Sequence, residues 1–298
     1  MGEFRGVYPA IITPMKPDGE VDYQTFRKVM ESNIRAGVHG FWVAGGTGES
    51  ILLTEEENQR IAEAAADQNQ GRVKNIMHIG AATTAQAIRQ AEAAAEVGVE
   101  AVCAVPPFFY HGADSEVVEY YRAVGAATDL PLFIYNLPKA TGVEITPALA
   151  HEIQKCVPQL AGLKHSAPDF WSISEFVKMG LDCFTGSGRL MVSALTLGAA
   201  GTIDGPLCAA PELWMDAYNA YQSGNIEDAE AAQAKANVVY SPLLEVGYLP
   251  GLKALVGTRL GIDCGNPRPP ISQVTPEIIV MAEKEAARLG PIRYVGVQ

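Results

Sequence analysis

Eight short apolar runs, each broken by Gly or Pro, alternate along the chain with amphipathic stretches of helical length, and this alternation constrains the fold more than any other feature. The runs are "GVYPAIITP", "GFWVAGG", "NIMHIGA", "AVCAVPP", "PLFIYNLP", "LAGLKHS", "DCFTGSG" and "AGTIDG", all of strand length. Between them lie periodic segments such as "DYQTFRKVMESNIRAG", "TEEENQRIAEAAADQ", "TTAQAIRQAEAAAEVG" and "DSEVVEYYRAVGAA". The second opens on a Thr54–Glu57 capping-box pattern, and the first and third end at glycine. Eight β-then-α units without a long linker predict a closed (β/α)8 TIM barrel, of class α/β. A doubly wound sheet is the competing arrangement, but no GxGxxG follows the first strand.

Length alone, 298 residues, suits either one large barrel of about 250 residues or two average domains. The order of elements divides the chain into a barrel core at 1–210 and a segment at 211–298 holding the last barrel helix and a C-terminal helical appendage. The latter reads as "PELWMDAYNAYQSGN", "IEDAEAAQAKANVVYSPLLEVGY", "GLKALVGTRLG" and "TPEIIVMAEKEAARLG", interrupted by the proline-rich "GNPRPPIS", expected to be an ordered loop.

The net charge of −12 argues against a nucleic-acid groove and against adhesion to anionic lipid. No apolar run reaches about 18 residues and the N-terminus has no secretory pattern, so the expected location is cytoplasmic. Met1-Gly2 does not make a myristoylation signal, because Gly6 stands where Ser or Thr is needed. The cysteines at 103, 156, 183, 208 and 264 are scattered without a CxxC and read as free thiols. Histidines 39, 78, 111, 151 and 165 include no pair at helical ligand spacing, so no metal site is expected.

In a barrel the working residues sit where strands run into the βα loops. The second strand ends in Gly45-Gly46-Thr47-Gly48-Glu49-Ser50, the fifth in Tyr135-Asn136, the sixth in Lys164-His165-Ser166, the seventh in Gly186-Ser187-Gly188-Arg189. Lys164 is the anomaly, since a barrel strand is almost wholly apolar and an ammonium there is costly unless paired or reactive. An unperturbed lysine near pKa 10.4 is neutral in only about one molecule in 2,500 at pH 7. Enclosure disfavours the charged form of such an amine, which then attacks ketones to form an imine, an electron sink for carbon–carbon chemistry. The alternative is a strand-end lysine paired with a barrel carboxylate. Imine formation and retro-aldol cleavage both need a proton carrier, and Tyr135, one strand away, is placed for it. Its alternative is a buried phenol tied to backbone. Gly45–Gly48 could expose backbone amides as a nest for a carboxylate, helped by the Thr47 hydroxyl. An amine, a phenol and a nest together describe a site for a 2-oxo acid.

With these motifs the sequence resembles the dihydrodipicolinate synthase/N-acetylneuraminate lyase family of pyruvate-dependent class I aldolases, from "GVYPAIITPMKPDGEVD" through "GGTGES", "YNLPKATG" and "GLKHSAPD" to the helical tail. The resemblance implies a Schiff base on Lys164, Tyr135 as proton-transferring phenol, the pyruvate carboxylate at Gly46 and Thr47, no cofactor or metal, and a homotetramer built as a dimer of dimers. The candidate binding set is completed by Tyr110, Ser166, Gly186, Arg189 and Ile203.

Departures from the family patterns bear on substrate. Ala140 replaces the arginine with which dihydrodipicolinate synthases hold a dicarboxylic ligand, Gly46 replaces a hydroxyl residue, and Phe109 replaces a second tyrosine, with Tyr110 next door. Gly188-Arg189 stands where sialate lyases resemble one another in carrying an acidic pair. "PxATG" and "GNPRPPIS" instead look like the 2-keto-3-deoxy sugar acid aldolases. The expected activity is therefore cleavage or formation of a 2-keto-3-deoxy sugar acid from pyruvate and an aldehyde. The alternatives are N-acetylneuraminate lyase, 4-hydroxy-tetrahydrodipicolinate synthase, a keto-deoxy-glucarate-type dehydratase suggested by the double glycine at 45 and 46, and, in a different class, an oxo-acid-binding sensor barrel.

Overall fold

The computed structural model describes residues 3–110 and 112–296; Met1-Gly2 and His111, to which the myristoylation and metal readings refer, lie outside the described residues. Eight strands follow the predicted runs: β1 Gly6–Pro9, β2 Gly40–Val43, β3 Lys74–His78, β4 Ala101–Ala104, β5 Leu132–Asn136, β6 Leu160–His165, β7 Asp182–Thr185 and β8 Gly201–Asp204. Each pairs in parallel with its neighbours in the order β1-β8-β7-β6-β5-β4-β3-β2. An Ala10–Trp42 bridge, with the Ile11 amide donating to the Trp42 carbonyl (3.2 Å), joins β1 to β2 and closes the (β/α)8 barrel.

Strand periodicity sorts the apolar residues into two cores. Val7, Phe41, Val43, Leu132, Ile134, Leu163 and Cys183 pack outward against the helices. Their alternating neighbours Tyr8, Trp42, Phe133, Tyr135 and Phe184 fill the barrel interior. A side-chain period of two requires this partition. β6 departs from it, because Leu160 and Leu163 both face outward although three residues apart. The register against β5 jumps from Leu132–Leu160 to Phe133–Gly162, leaving Ala161 as an extra residue. This bulge reverses the phase of the strand and turns Lys164 inward. Gly162 cannot be replaced cheaply at that point: a Cβ would meet the Asp182 carbonyl of β7 and the Phe133 ring.

The Thr54–Glu57 capping box forms, with Glu57 N–H on Thr54 Oγ1 (3.1 Å) and Thr54 N–H on Glu57 Oε2 (2.8 Å). One expected helix is two: residues 226–248 form Ile226–Asn237 and Tyr240–Val246 before a third helix, Tyr248–Leu260. Pro242 has no amide to donate backward, so it is accommodated only in the first turn of a new helix. Helices Tyr248–Leu260 and Pro276–Leu289 follow the barrel. The "GNPRPPIS" loop is ordered by Arg268, whose guanidinium grips Glu57 and the Leu52 carbonyl (3.0 Å). No described helix is long and apolar enough to cross a membrane.

Candidate active site

Lys164 and Tyr135 are directly opposed across the β5–β6 ladder, so parallel pairing points both into the barrel. Lys164 is 5% exposed, with Nζ 4.6 Å from the Tyr135 ring centroid and 5.4 Å from that of Trp42. Trp42 and Tyr135 meet edge to face at 5.3 Å. Among the described residues no carboxylate lies within 4.0 Å of Nζ, so the paired-lysine alternative fails. Lys253 supplies the contrast: it is fully buried and bound to Glu49 at 2.6 Å. The amine at 164 is held between two aromatic rings. Asn136, next to Tyr135, works on structure: its amide donates to the Ile145 carbonyl (2.9 Å), accepts from the Ile145 amide (3.0 Å) and contacts His165 Nδ1 (3.2 Å).

The turn after β2 is narrower as a nest than its glycines suggest. The amides of Gly48, Glu49 and Ser50 bond back to Gly45 and Gly46 carbonyls at 3.0, 3.2 and 3.4 Å. Among the described residues the Gly46 and Thr47 amides, like that of Gly45, donate to nothing in the chain, which leaves them for a ligand. Ala44 (φ 50°) and Glu49 (φ 63°) bracket the turn in left-handed conformation, and Thr13 fixes its far side through Oγ1 to the Gly48 carbonyl (2.7 Å). A Cβ on Gly46 would stand 3.9 Å from Tyr135 Oη, so the hydroxyl missing at 46 leaves a gap beside the phenol. A cavity of about 310 Å³ opens there, lined by Gly46, His78, Val105, Phe108, Tyr135 and Ala140 among others.

Asp204, at the carboxyl end of β8, organises the opposite side. Tyr240 Oη donates to its Oδ2 at 2.6 Å, Tyr248 Oη to its Oδ1 at 3.3 Å, and the Gly188 and Gly205 amides complete the set at 2.9 and 2.7 Å. Burial, then the Asp204 charge, pushes both phenols well up, so they remain donors. Arg189 lies over the Tyr240 ring at 4.4 Å. It pairs with neither Asp204 nor Glu49, and among the described residues its buried Nε has no partner. Glu49 is instead taken by Lys253 and by the Arg268 amide (2.6 Å).

His78, at the end of β3, is buried against Tyr135 with ring centroids 6.2 Å apart, and its Nδ1 meets Ser50 Oγ at 3.2 Å. Burial, with the nearby Lys164 charge, pushes its pKa down to about 4. Below the ordinary histidine value of about 6.5 the unfolded chain binds a proton that the folded one refuses, so stability falls with pH across that window. The loss expected from pH 6.5 to 4 is up to about 3 kcal/mol, and His78→Gln should flatten that limb in denaturant titrations at each pH.

Of the residues singled out from sequence, Gly46 and Tyr135 line the cavity, Lys164 faces the Tyr135 ring, Ile203 is buried in the barrel interior with Tyr135, and Thr47 lies beside Gly205 and Tyr248. Ser166 packs against Gly186, whose amide extends the β6–β7 ladder to the His165 carbonyl (2.7 Å). Tyr110 is not brought in: Phe109 takes φ 74°, and the two rings, edge to face, are 81% and 82% exposed. Sequence reasoning missed His78, Trp42, Tyr240, Tyr248, Lys253 and the organising role of Asp204. His78 carried a usable signal, a polar residue in an apolar strand. Among the described residues no cluster of three His, Cys, Asp or Glu is placed to hold a metal ion.

Comparison with known proteins follows this geometry. The model of the dihydrodipicolinate synthetase family matches residues 3–286. An uncharacterized DapA-like lyase of Halobacterium salinarum is 34% identical over 287 residues, covering 96% of this chain and 94% of the relative. The N-acetylneuraminate lyase of Rhizobium meliloti is 30% identical over 274 residues, covering 91% of each. A catalytic lysine mutant of the Ruminococcus gnavus sialic acid aldolase superposes with a TM-score of 0.90 at 25% identity, covering 96% of this chain and 95% of that one.

Proposed function

We propose, for a chain that belongs to the dihydrodipicolinate synthetase family and is a carbon–carbon lyase, that it splits or builds a 2-keto-3-deoxy sugar acid through an imine between Lys164 and pyruvate. The observation that carries this reading is the unpaired, buried amine of Lys164 facing Tyr135 across one strand pair. The amine adds to the ketone carbon and the carbinolamine hydroxyl leaves as water. The cationic imine then takes up the electron pair of the breaking carbon–carbon bond while the adjacent hydroxyl gives up its proton, which Tyr135 relays. The free amides of Gly46 and Thr47 receive the carboxylate. The imine supplies the electron sink, so the reaction needs neither metal nor cofactor. The working assembly is a homotetramer.

Arg189 is the substrate handle in this reading. A half-buried guanidinium with a free Nε and no carboxylate partner suits an anionic or hydroxyl-rich far end of the acid, as in the 2-keto-3-deoxy sugar acids. Pyruvate release coupled to a dehydrogenase, across deoxy-gluconate, deoxy-galactonate, 4-hydroxy-2-oxoglutarate and sialate, tests it. Arg189→Ala is expected to lower kcat/KM about 10- to 150-fold for the preferred acid, the loss of a charge-assisted contact of about 1.5–3 kcal/mol, with imine formation from pyruvate unchanged. Preference for sialate, or an Arg189→Ala variant indifferent to every acid, would reassign the substrate.

A further inference from the structure

Helix Tyr248–Leu260 belongs to the C-terminal extension, yet two of its polar side chains end at the turn after β2. Lys253 is wholly buried, and its Nζ reaches Glu49 Oε1 at 2.6 Å and the Asn266 carbonyl at 3.1 Å. Glu49 closes the turn in left-handed conformation, with its amide on the Gly46 carbonyl at 3.2 Å. Five residues earlier on the same helix, the Tyr248 hydroxyl donates to Asp204 at 3.3 Å and stands beside Thr47 Oγ1, the two oxygens flanking the point where a Cβ on Gly205 would be. It occupies the space where a Cβ on Gly205 would stand, so a bare glycine is what admits it. The helix thus meets the turn at Thr47, whose own amide is free, and at Glu49, two residues further on.

The ion pair also has an electrostatic consequence. Glu49 is a buried anion two residues from Thr47, and an uncompensated carboxylate there would oppose a second carboxylate on the nest. Lys253, 2.6 Å from Glu49 Oε1, cancels that charge.

We propose that Lys253 and Tyr248 are positioning residues for the 2-oxo-acid carboxylate, Lys253 acting through Glu49 and Tyr248 through Thr47. The inference rests on the reading that Gly46 and Thr47 hold that carboxylate. It makes the extension a wall of the active site.

The test compares borohydride trapping of the full-length enzyme with pyruvate and with acetone, a ketone lacking the carboxylate. Lys253→Met should raise the half-saturating pyruvate concentration about 10-fold or more and leave acetone trapping within about 2-fold. Adding Glu49→Gln removes the stranded anion and should bring pyruvate back to within about 3-fold of wild type. Should Lys253→Met not fold, Tyr248→Phe, which deletes one oxygen, carries the same expectation of a pyruvate-specific loss. Equal losses with both ketones would mean a merely structural role and overturn the proposal. So would a folded Lys253→Met variant with unchanged pyruvate trapping. Thr47→Pro, which deletes one of the free amides, separates the two layers: if it leaves pyruvate trapping untouched, the nest reading itself fails, whereas a Thr47 effect without a Lys253 effect sinks the positioning role alone.

Discussion

Replacing Lys164 by methionine is expected to abolish turnover, lowering kcat by more than about 10,000-fold, which is about 5.5 kcal/mol of barrier. In the wild-type enzyme, borohydride with pyruvate should leave a stable adduct on the Lys164 peptide alone, read by peptide mass spectrometry. The expectation rests on a comparison within the molecule. Lys164 and Lys253 are both buried, but Lys253 is bound to Glu49 at 2.6 Å, and its amine is committed. Among the described residues Lys164 has no carboxylate partner, and its Nζ faces the Tyr135 and Trp42 rings, so its amine is the one free to add to a ketone. Methionine keeps the length and apolar contacts of the stem, so loss of activity would report the amine and not the packing. An adduct on another lysine, or turnover surviving in the methionine variant, would remove the imine mechanism.

The two catalytic candidates were legible because each breaks a local pattern. A charged residue inside "LAGLKHS" and a phenol closing "PLFIYNLP" are anomalies of strand composition, and adjacent strands of a barrel bring such ends together. The phase of Lys164 was not legible. Only the extra residue at Ala161 turns it inward, and nothing in the letters marks a bulge between two parallel strands. The nest was half legible: the glycines announce a turn, but which amides stay free depends on hydrogen bonds inside it. Tyr240, Tyr248 and Lys253 lay beyond reach for another reason. On an amphipathic helix they read as ordinary surface or core positions, and their partners Asp204, Thr47 and Glu49 stand 36 to about 200 residues away in sequence. The segment at 211–298 looked like an addition because periodicity reports which face of a helix is buried, and not what that face does.

Tyr135→Phe is expected to lower kcat about 100- to 10,000-fold, the usual loss when a positioned general acid or base is removed, with KM for pyruvate changed little. Phenylalanine preserves the edge-to-face contact with Trp42 and the packing on His78, so stability and pyruvate trapping should survive. Only the hydroxyl goes, and the surroundings decide how much that costs. Gly46 leaves open space 3.9 Å from Oη where a side chain would begin. His78 is held neutral at pH 7 by burial, and its depressed pKa of about 4 makes it a weak base for taking up the proton. Tyr110 is exposed on its loop. Ser50 lines the same cavity, but its Oγ is held on His78 Nδ1 at 3.2 Å, so the phenol should carry most of the proton-transfer contribution, placing the loss toward the upper part of the range. Single-turnover measurements separate the steps: the imine should still form and be trapped, while carbon–carbon cleavage stalls. A Phe variant that cleaves at the wild-type rate would show that water in the Gly46 gap, or Tyr110 from a neighbouring copy, moves the proton instead.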